Sequence, residues 1–131
     1  MKNSIEQFFS SQTYAVIGAS NNRQKFGNKV LRSFLQHFMS VYPVNPHEDF
    51  IEGLFCLKQI SELPPTVKSI TIITPPEITE KIVDEAIKKG IKNIWIQPGA
   101  ESETAIYHCL KHKINLIANG PCILVELGFT E

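Results

Sequence analysis

The sequence predicts an α/β fold: a doubly wound parallel sheet of five strands in the order 3-2-1-4-5, closed as a single domain. Three observations carry this. Aliphatic runs of strand length alternate with helix-period segments of about 10–15 residues, as βαβ units require. The runs, Ile70-Thr71-Ile72-Ile73 being the clearest, are almost continuously apolar, as in strands covered on both faces. The first run, Tyr14-Ala15-Val16-Ile17, ends in Gly18-Ala19-Ser20 and delivers the chain, through a polar loop, to the start of an amphipathic helix.

The elements follow in order. Ser4 with Gln7 reads as a capping box opening a short helix that carries Ile5, Phe8 and Phe9 on one side. After the first strand, Val30, Leu31, Phe34, Leu35 and Phe38 recur at helical spacing, which predicts a helix over 28–38. Val41 to Val44 is the second strand, closed by Pro46. A polar loop from His47 to Gly53 leads to a short segment at Leu54–Leu57, and Ile60 to Pro65 is a brief helical turn stopped by its prolines. The third strand ends at Thr74-Pro75-Pro76. There a helix starts whose apolar face is Ile78, Ile82, Val83, Ala86 and Ile87, with Gly90 beyond its Lys88-Lys89 end. Ile91–Ile96 is the fourth strand, Glu101–Lys111 a helix, Ile114–Ile117 the fifth strand, and Ile123-Leu124-Val125 a short apolar tail.

Composition narrows the function classes. At 131 residues the chain suits one domain that buries about two-thirds of the surface its unfolded form exposes. Thirteen basic residues balance thirteen acidic ones without a block of like charge, so neither nucleic acid nor a membrane surface has an electrostatic footprint here. No apolar stretch has the length of a signal peptide or a membrane span. Cys56, Cys109 and Cys122 are widely spaced with no C-x-x-C, which suits reduced thiols in a soluble cytoplasmic protein. His108 and His112 stand one helical turn apart, but the segment His-Cys-Leu-Lys-His lacks the glutamate of a zinc hydrolase motif, and no metal site is expected.

In open parallel sheets ligands bind beyond the carboxyl ends of the strands. The residues there are Gly18-Ala19-Ser20, Pro43-Val44-Asn45-Pro46, Thr74-Pro75-Pro76, Gln97-Pro98-Gly99-Ala100 and Asn119-Gly120-Pro121-Cys122. All are small, rigid or neutral polar. No carboxylate pair and no nucleophile with its base stand among them, so the rim is equipped to hold a ligand and not for acid–base chemistry. Around the first strand–helix junction, Gly18 and Gly27 flank Ser20, Arg23, Lys25 and Phe26. Free backbone N–H groups and a helix N-terminus there suit a phosphate, and two cations stand by. Ser20 occupies the second glycine position of G-x-G-x-x-G, and the second strand ends in Asn45 and Pro46 where a ribose-binding acid would stand. NAD is therefore disfavoured. NADP, or an adenosine bearing another phosphate, is not.

Taken in order, Ile17-Gly18-Ala19-Ser20, Lys25-Phe26-Gly27-Asn28, Pro43-Val44-Asn45-Pro46 with Gly53, Thr74-Pro75-Pro76, Trp95 to Ala100, and Asn119 to Cys122 with Val125-Glu126 form a set. This set resembles the small stand-alone CoA-binding domain proteins, whose Rossmann-like fold is similar to the N-terminal domain of the succinyl-CoA synthetase alpha subunit. The resemblance spans Tyr14 to Glu126. It implies coenzyme A, free or acylated, lying across the strand ends. Gly18, Ala19, Ser20, Arg23, Lys25, Phe26 and Gly27 would take the phosphate region, and Asn45 and Pro46 the adenosine end. Thr74, Pro75 and Pro76 would form a wall, with Gln97, Pro98, Gly99, Ala100 and Cys122 toward the pantetheine. The first loop departs from the synthetase's glycine-rich threonine sequence, and no histidine here matches the synthetase's phosphorylated one, so ligase chemistry does not carry over.

The expectation is thus non-catalytic binding of CoA or acyl-CoA, which the protein senses, buffers or presents to a partner. The alternatives are an enzyme: the CoA-carrying part of a split acyl-CoA ligase, or an NADP-dependent oxidoreductase.

Overall fold

A computed structural model describes residues 3–131. Five parallel strands form the main sheet: β1 (Thr13–Ile17), β2 (Ser40–Val44), β5 (Ser69–Ile72), β6 (Asn93–Ile96) and β7 (Asn115–Ile117), arranged β2-β1-β5-β6-β7. Between β2 and β5 the chain makes a small antiparallel hairpin, β3 (Phe50–Ile51) and β4 (Leu54–Phe55), and then a 3-10 turn at Ile60–Glu62. The helices are α1 (Ser4–Phe8), α2 (Phe26–Gln36), α3 (Pro76–Lys89), α4 (Glu103–Lys111) and α5 (Ile123–Glu126).

The 3-2-1-4-5 order appears once the stub at Leu57 is counted. Leu57 bridges Val44 in parallel, donating its N–H to Pro43 and accepting from Asn45. It takes the third-strand place outside β2, so Ser69–Ile72, expected as the third strand, lies beside β1 as the fourth member, β6 is the fifth, and β7 adds a sixth position that closes the sheet. The segment is too short to read as a strand, because one bridge exposes no period.

Period-two alternation sorts the two cores. Ala15, Ile17, Ile70, Ile72, Ile94 and Ile96 pack with Val83, Ala86, Ala105 and Cys109 of α3 and α4. Tyr14, Val16, Trp95 and Ile117 face the other way, onto Phe8, Val30, Leu31, Phe34 and Ile123 of α1, α2 and α5. Both faces of the central strands are covered, which is why these strands read as unbroken apolar runs.

Several local expectations shift. Asn3, not Ser4, caps α1: its side chain accepts from the Glu6 N–H at 2.8 Å, because an amide one residue earlier reaches the free donor better. α2 starts at Phe26, two residues before the expected Asn28, and ends at Gln36, since Phe38 takes a left-handed conformation with φ 56°. The apolar tail Ile123–Val125 is the helix α5. Its buried start is satisfied by Gln97, whose Oε1 accepts the Ile123 N–H at 3.1 Å.

Candidate functional site

The carboxyl ends of β2, β1, β5 and β6 open on one side of the molecule, and a groove runs across them in three joined compartments. Ile73, just beyond β5, lines all three.

The central compartment, about 310 Å³, is formed by Gly18, Ala19, Ser20, Lys25, Phe26, Gly27, Asn45 and Ile73. Two glycines create it. Gly18 has φ +97°, and a Cβ there would lie 2.1 Å from the Ile73 carbonyl oxygen. At Gly27, a Cβ would meet the Gly18 carbonyl oxygen at 2.1 Å. The first turn of α2 therefore sits directly against the end of β1, with room for no side chain between them. α2 has no side-chain cap at Lys25. The N–H groups of Ala19, Ser20, Phe26 and Gly27 find no hydrogen-bond acceptor among the described residues. Free donors, a helix N-terminus and a lysine without an ion-pair partner among the described residues are the features an anion would need in this compartment.

Toward β2 lies a larger compartment of about 400 Å³. Val44, Pro46, Ile60, Pro75, Ile78 and Ile82 give it an apolar lining, with Asn45, His47, Lys58, Gln59 and Glu85 as its polar rim. A flat heterocycle fits such a slot by burying its faces while polar edges meet the rim. Sequence reading reaches only Asn45, Pro46 and Pro75 of this set. Lys58, Gln59 and Ile60 follow the Leu57 bridge, so their place becomes visible only with that pairing. Ile78 and Ile82 read in the sequence as core alone.

On the β6 side a third compartment, about 280 Å³, is lined by Phe26, Ile73, Thr74, Pro75, Pro98, Gly99 and Ala100. The Glu101 side chain accepts the Gly99 N–H at 2.8 Å and shapes this loop. Thr74 is tied to Thr79 at 2.7 Å, fixing the start of α3.

Four expected site residues sit elsewhere. Gln97 is fully buried, donating to Thr71 Oγ1 at 2.8 Å and accepting from Ile123, so it braces the rim from beneath. Cys122 precedes α5 and lines none of the three compartments. Pro76 is the exposed first residue of α3; Pro75 faces the groove in its place. Arg23 lies outside the lining, its Nε 3.8 Å from Glu52 Oε2. The remaining thiols are buried and line none of the three compartments: burial pushes Cys109 up to about 12, and also raises Cys56. Among the described residues no group of three or more His, Cys, Asp or Glu side chains could hold a metal ion, and no helix is long and apolar enough to cross a membrane.

Comparison with known proteins then decides the family. Residues 12–128 match the family described as the CoA binding domain. The chain belongs to the CoA-binding domain family. It is 32% identical over 101 residues to the alpha subunit of the ADP-forming acetate–CoA ligase II of Pyrococcus furiosus, covering 76% of this chain and 22% of that subunit. A conserved hypothetical protein from the same organism superposes with TM-score 0.83 at 40% identity, covering 88% of this chain and 98% of that one. A dinucleotide-forming acetyl-coenzyme A synthetase of Ca. Korarchaeum cryptofilum, solved with phosphate and ADP, superposes with TM-score 0.76 at 27% identity, over 87% of this chain and 27% of its own. This CoA-binding domain thus spans about a quarter of those ligases and nearly all of a small free-standing protein.

Proposed function

We propose that the groove binds coenzyme A or an acyl-CoA and that the chain performs no chemistry on it. The observation that carries this reading is the central compartment, where uncapped amides, the α2 N-terminus and Lys25 meet beside an apolar slot and a smaller third compartment. These three parts correspond to the three parts of the ligand. The adenine would lie among Val44, Pro46, Ile60 and Ile78, and the diphosphate against Gly18–Ser20, Lys25 and Gly27. The pantetheine arm would run between Thr74-Pro75 and Pro98-Gly99-Ala100.

Absence of catalysis rests on the side chains that line the channel. The third compartment contains no acid, imidazole or thiol among its lining residues, and its one hydroxyl, Thr74, is hydrogen-bonded to Thr79 with no base beside it, so a thioester there meets no activated nucleophile. The corresponding role is to sense, buffer or present the cofactor, in the cytoplasm, to a protein partner.

Calorimetric titration tests the reading. The wild-type chain should bind CoA, and Lys25→Ala should weaken it by about 1.5–3 kcal/mol, the range for a charge-assisted hydrogen bond. Unchanged affinity would remove Lys25 from the site, and tighter binding of NADP than of CoA would overturn the ligand.

A second reading is favoured by the relative that is itself a ligase alpha subunit. Here the chain would carry CoA for a split acyl-CoA ligase, with another polypeptide supplying the nucleotide chemistry. Acyl-CoA formation from acid, CoA and ATP on adding a candidate partner, and none without it, would favour this version.

A further inference from the structure

Two side chains of α2, one helical turn apart, hold the backbone carbonyls of the Ser20–Lys25 loop from behind. Asn28 is fully buried, and its Nδ2 donates to the Ser20 carbonyl at 2.8 Å and to Glu52 Oε2 at 3.1 Å. Arg32 is 8% exposed; its Nε donates to Asn28 Oδ1 at 2.7 Å, and its Nη2 donates to the Arg23 carbonyl at 2.9 Å. The guanidinium is covered from outside by the Phe129 ring, 5.2 Å to the centroid. On the groove side Asn45 Nδ2 draws the Ala19 carbonyl at 2.8 Å. In a planar trans peptide the N–H points opposite to the C=O. Pinning the Ala19 carbonyl to Asn45 therefore turns the Ser20 N–H away from Asn45, and pinning the Ser20 carbonyl to Asn28 turns the Asn21 N–H, which has no acceptor among the described residues, away from α2.

Arg32 sits too far inside to meet solvent freely, and a buried guanidinium carries a desolvation cost that an apolar side chain would not. Its ion pair with Glu131 is long, at 3.8 Å, and that carboxylate is exposed, so the pair offsets little of the cost. What Arg32 does is fix which way the Asn28 amide is turned: with Oδ1 accepting from Arg32, both Nδ2 hydrogens are committed to Ser20 and Glu52. We propose that Asn28 and Arg32 are positioning residues that preorganise the Ser20–Lys25 loop for a diphosphate. This rests on the CoA reading above. Neither residue touches the ligand; both act through the backbone of the loop, so their loss should weaken binding by removing preorganisation.

Asn28→Asp tests this, since it keeps shape and the acceptor for Arg32 but turns an oxygen toward the Ser20 carbonyl and the Glu52 carboxylate. CoA affinity should fall about tenfold or more, the effect of losing one hydrogen bond of this kind. Asn28→Asp combined with Glu52→Gln separates the roles. The amide introduced at position 52 can donate to the new carboxylate and recover thermal stability, while the Ser20 tether stays broken and binding stays weak. Arg32→Met should show the same loss of affinity.

Two-dimensional NMR on the wild-type chain gives an independent readout: pyrophosphate should shift the amide signals of Ala19, Ser20, Asn21 and Gly27. Wild-type affinity in Asn28→Asp, or recovery of affinity together with stability in the double variant, would overturn the positioning role while leaving CoA binding intact. A wild-type chain that ignores CoA yet shifts those amides with pyrophosphate would overturn the ligand reading and keep the loop's role. Neither response would overturn both.

Discussion

Two atoms in contact decide whether this groove exists. The Gly18 carbonyl lies where a Gly27 side chain would begin, so Gly27→Ala forces β1 and α2 apart at the point where the anion site is built. Backbone, not a flexible side chain, is the obstacle. Overpacking of this kind costs about 1–3 kcal/mol, to be read as a lower denaturant midpoint, and CoA affinity should drop with it. Both glycines were legible in the sequence because each stands at the end of a periodic segment. Lys25 was legible for the same reason. Gln97 was not: a polar residue at a strand end looks the same whether it faces a ligand or the core, and only its bonds to Thr71 and Ile123 separate the two.

At the scale of elements, short pieces matter more than their length suggests. The Leu57 bridge carries Lys58, Gln59 and Ile60 into the apolar slot, and the buried start of α5 is held by one glutamine. Gln97→Leu would leave the Ile123 N–H without its partner in a buried place, and Thr71 would lose a donor. The expected cost is about 1–3 kcal/mol, measured as a lower denaturation midpoint. Amide hydrogen exchange should quicken first in α5, before the central strands respond. The helices were readable because a 3.6-residue period over eleven or fourteen residues leaves little ambiguity. The stub and α5 were not, because one bridge or four residues carry too little period to declare themselves.

For the molecule as a whole, the two-sided sheet sorts its three thiols. Cys109, on the buried face of α4, lies in one core, Cys56 is buried beside Asn45 and Leu57, and Cys122 is half-exposed before α5. Burial holds Cys109 as the thiol far above neutral pH. Treatment of the native protein with iodoacetamide, followed by mass spectrometry, should modify Cys122 and spare the other two until denaturant is added. Rapid loss of all three thiols in native buffer would mean that the cores open far more readily than this packing implies. Because Cys122 stands outside the groove lining, saturating CoA should leave its alkylation rate unchanged, which also tests its removal from the site.

Local chemistry was enough to specify the α/β class, the parallel sheet and the strand–helix junction at Gly18–Gly27. Each depends on residues near one another in the chain, through period, turn geometry or charge. Tertiary structure alone decided which rim side chains face the groove, that Leu57 supplies the outer strand position, and that Asn28 and Arg32 brace the loop from behind. Those outcomes depend on contacts between segments far apart in sequence, where a side chain's direction is set by its packing partner and no local pattern records it.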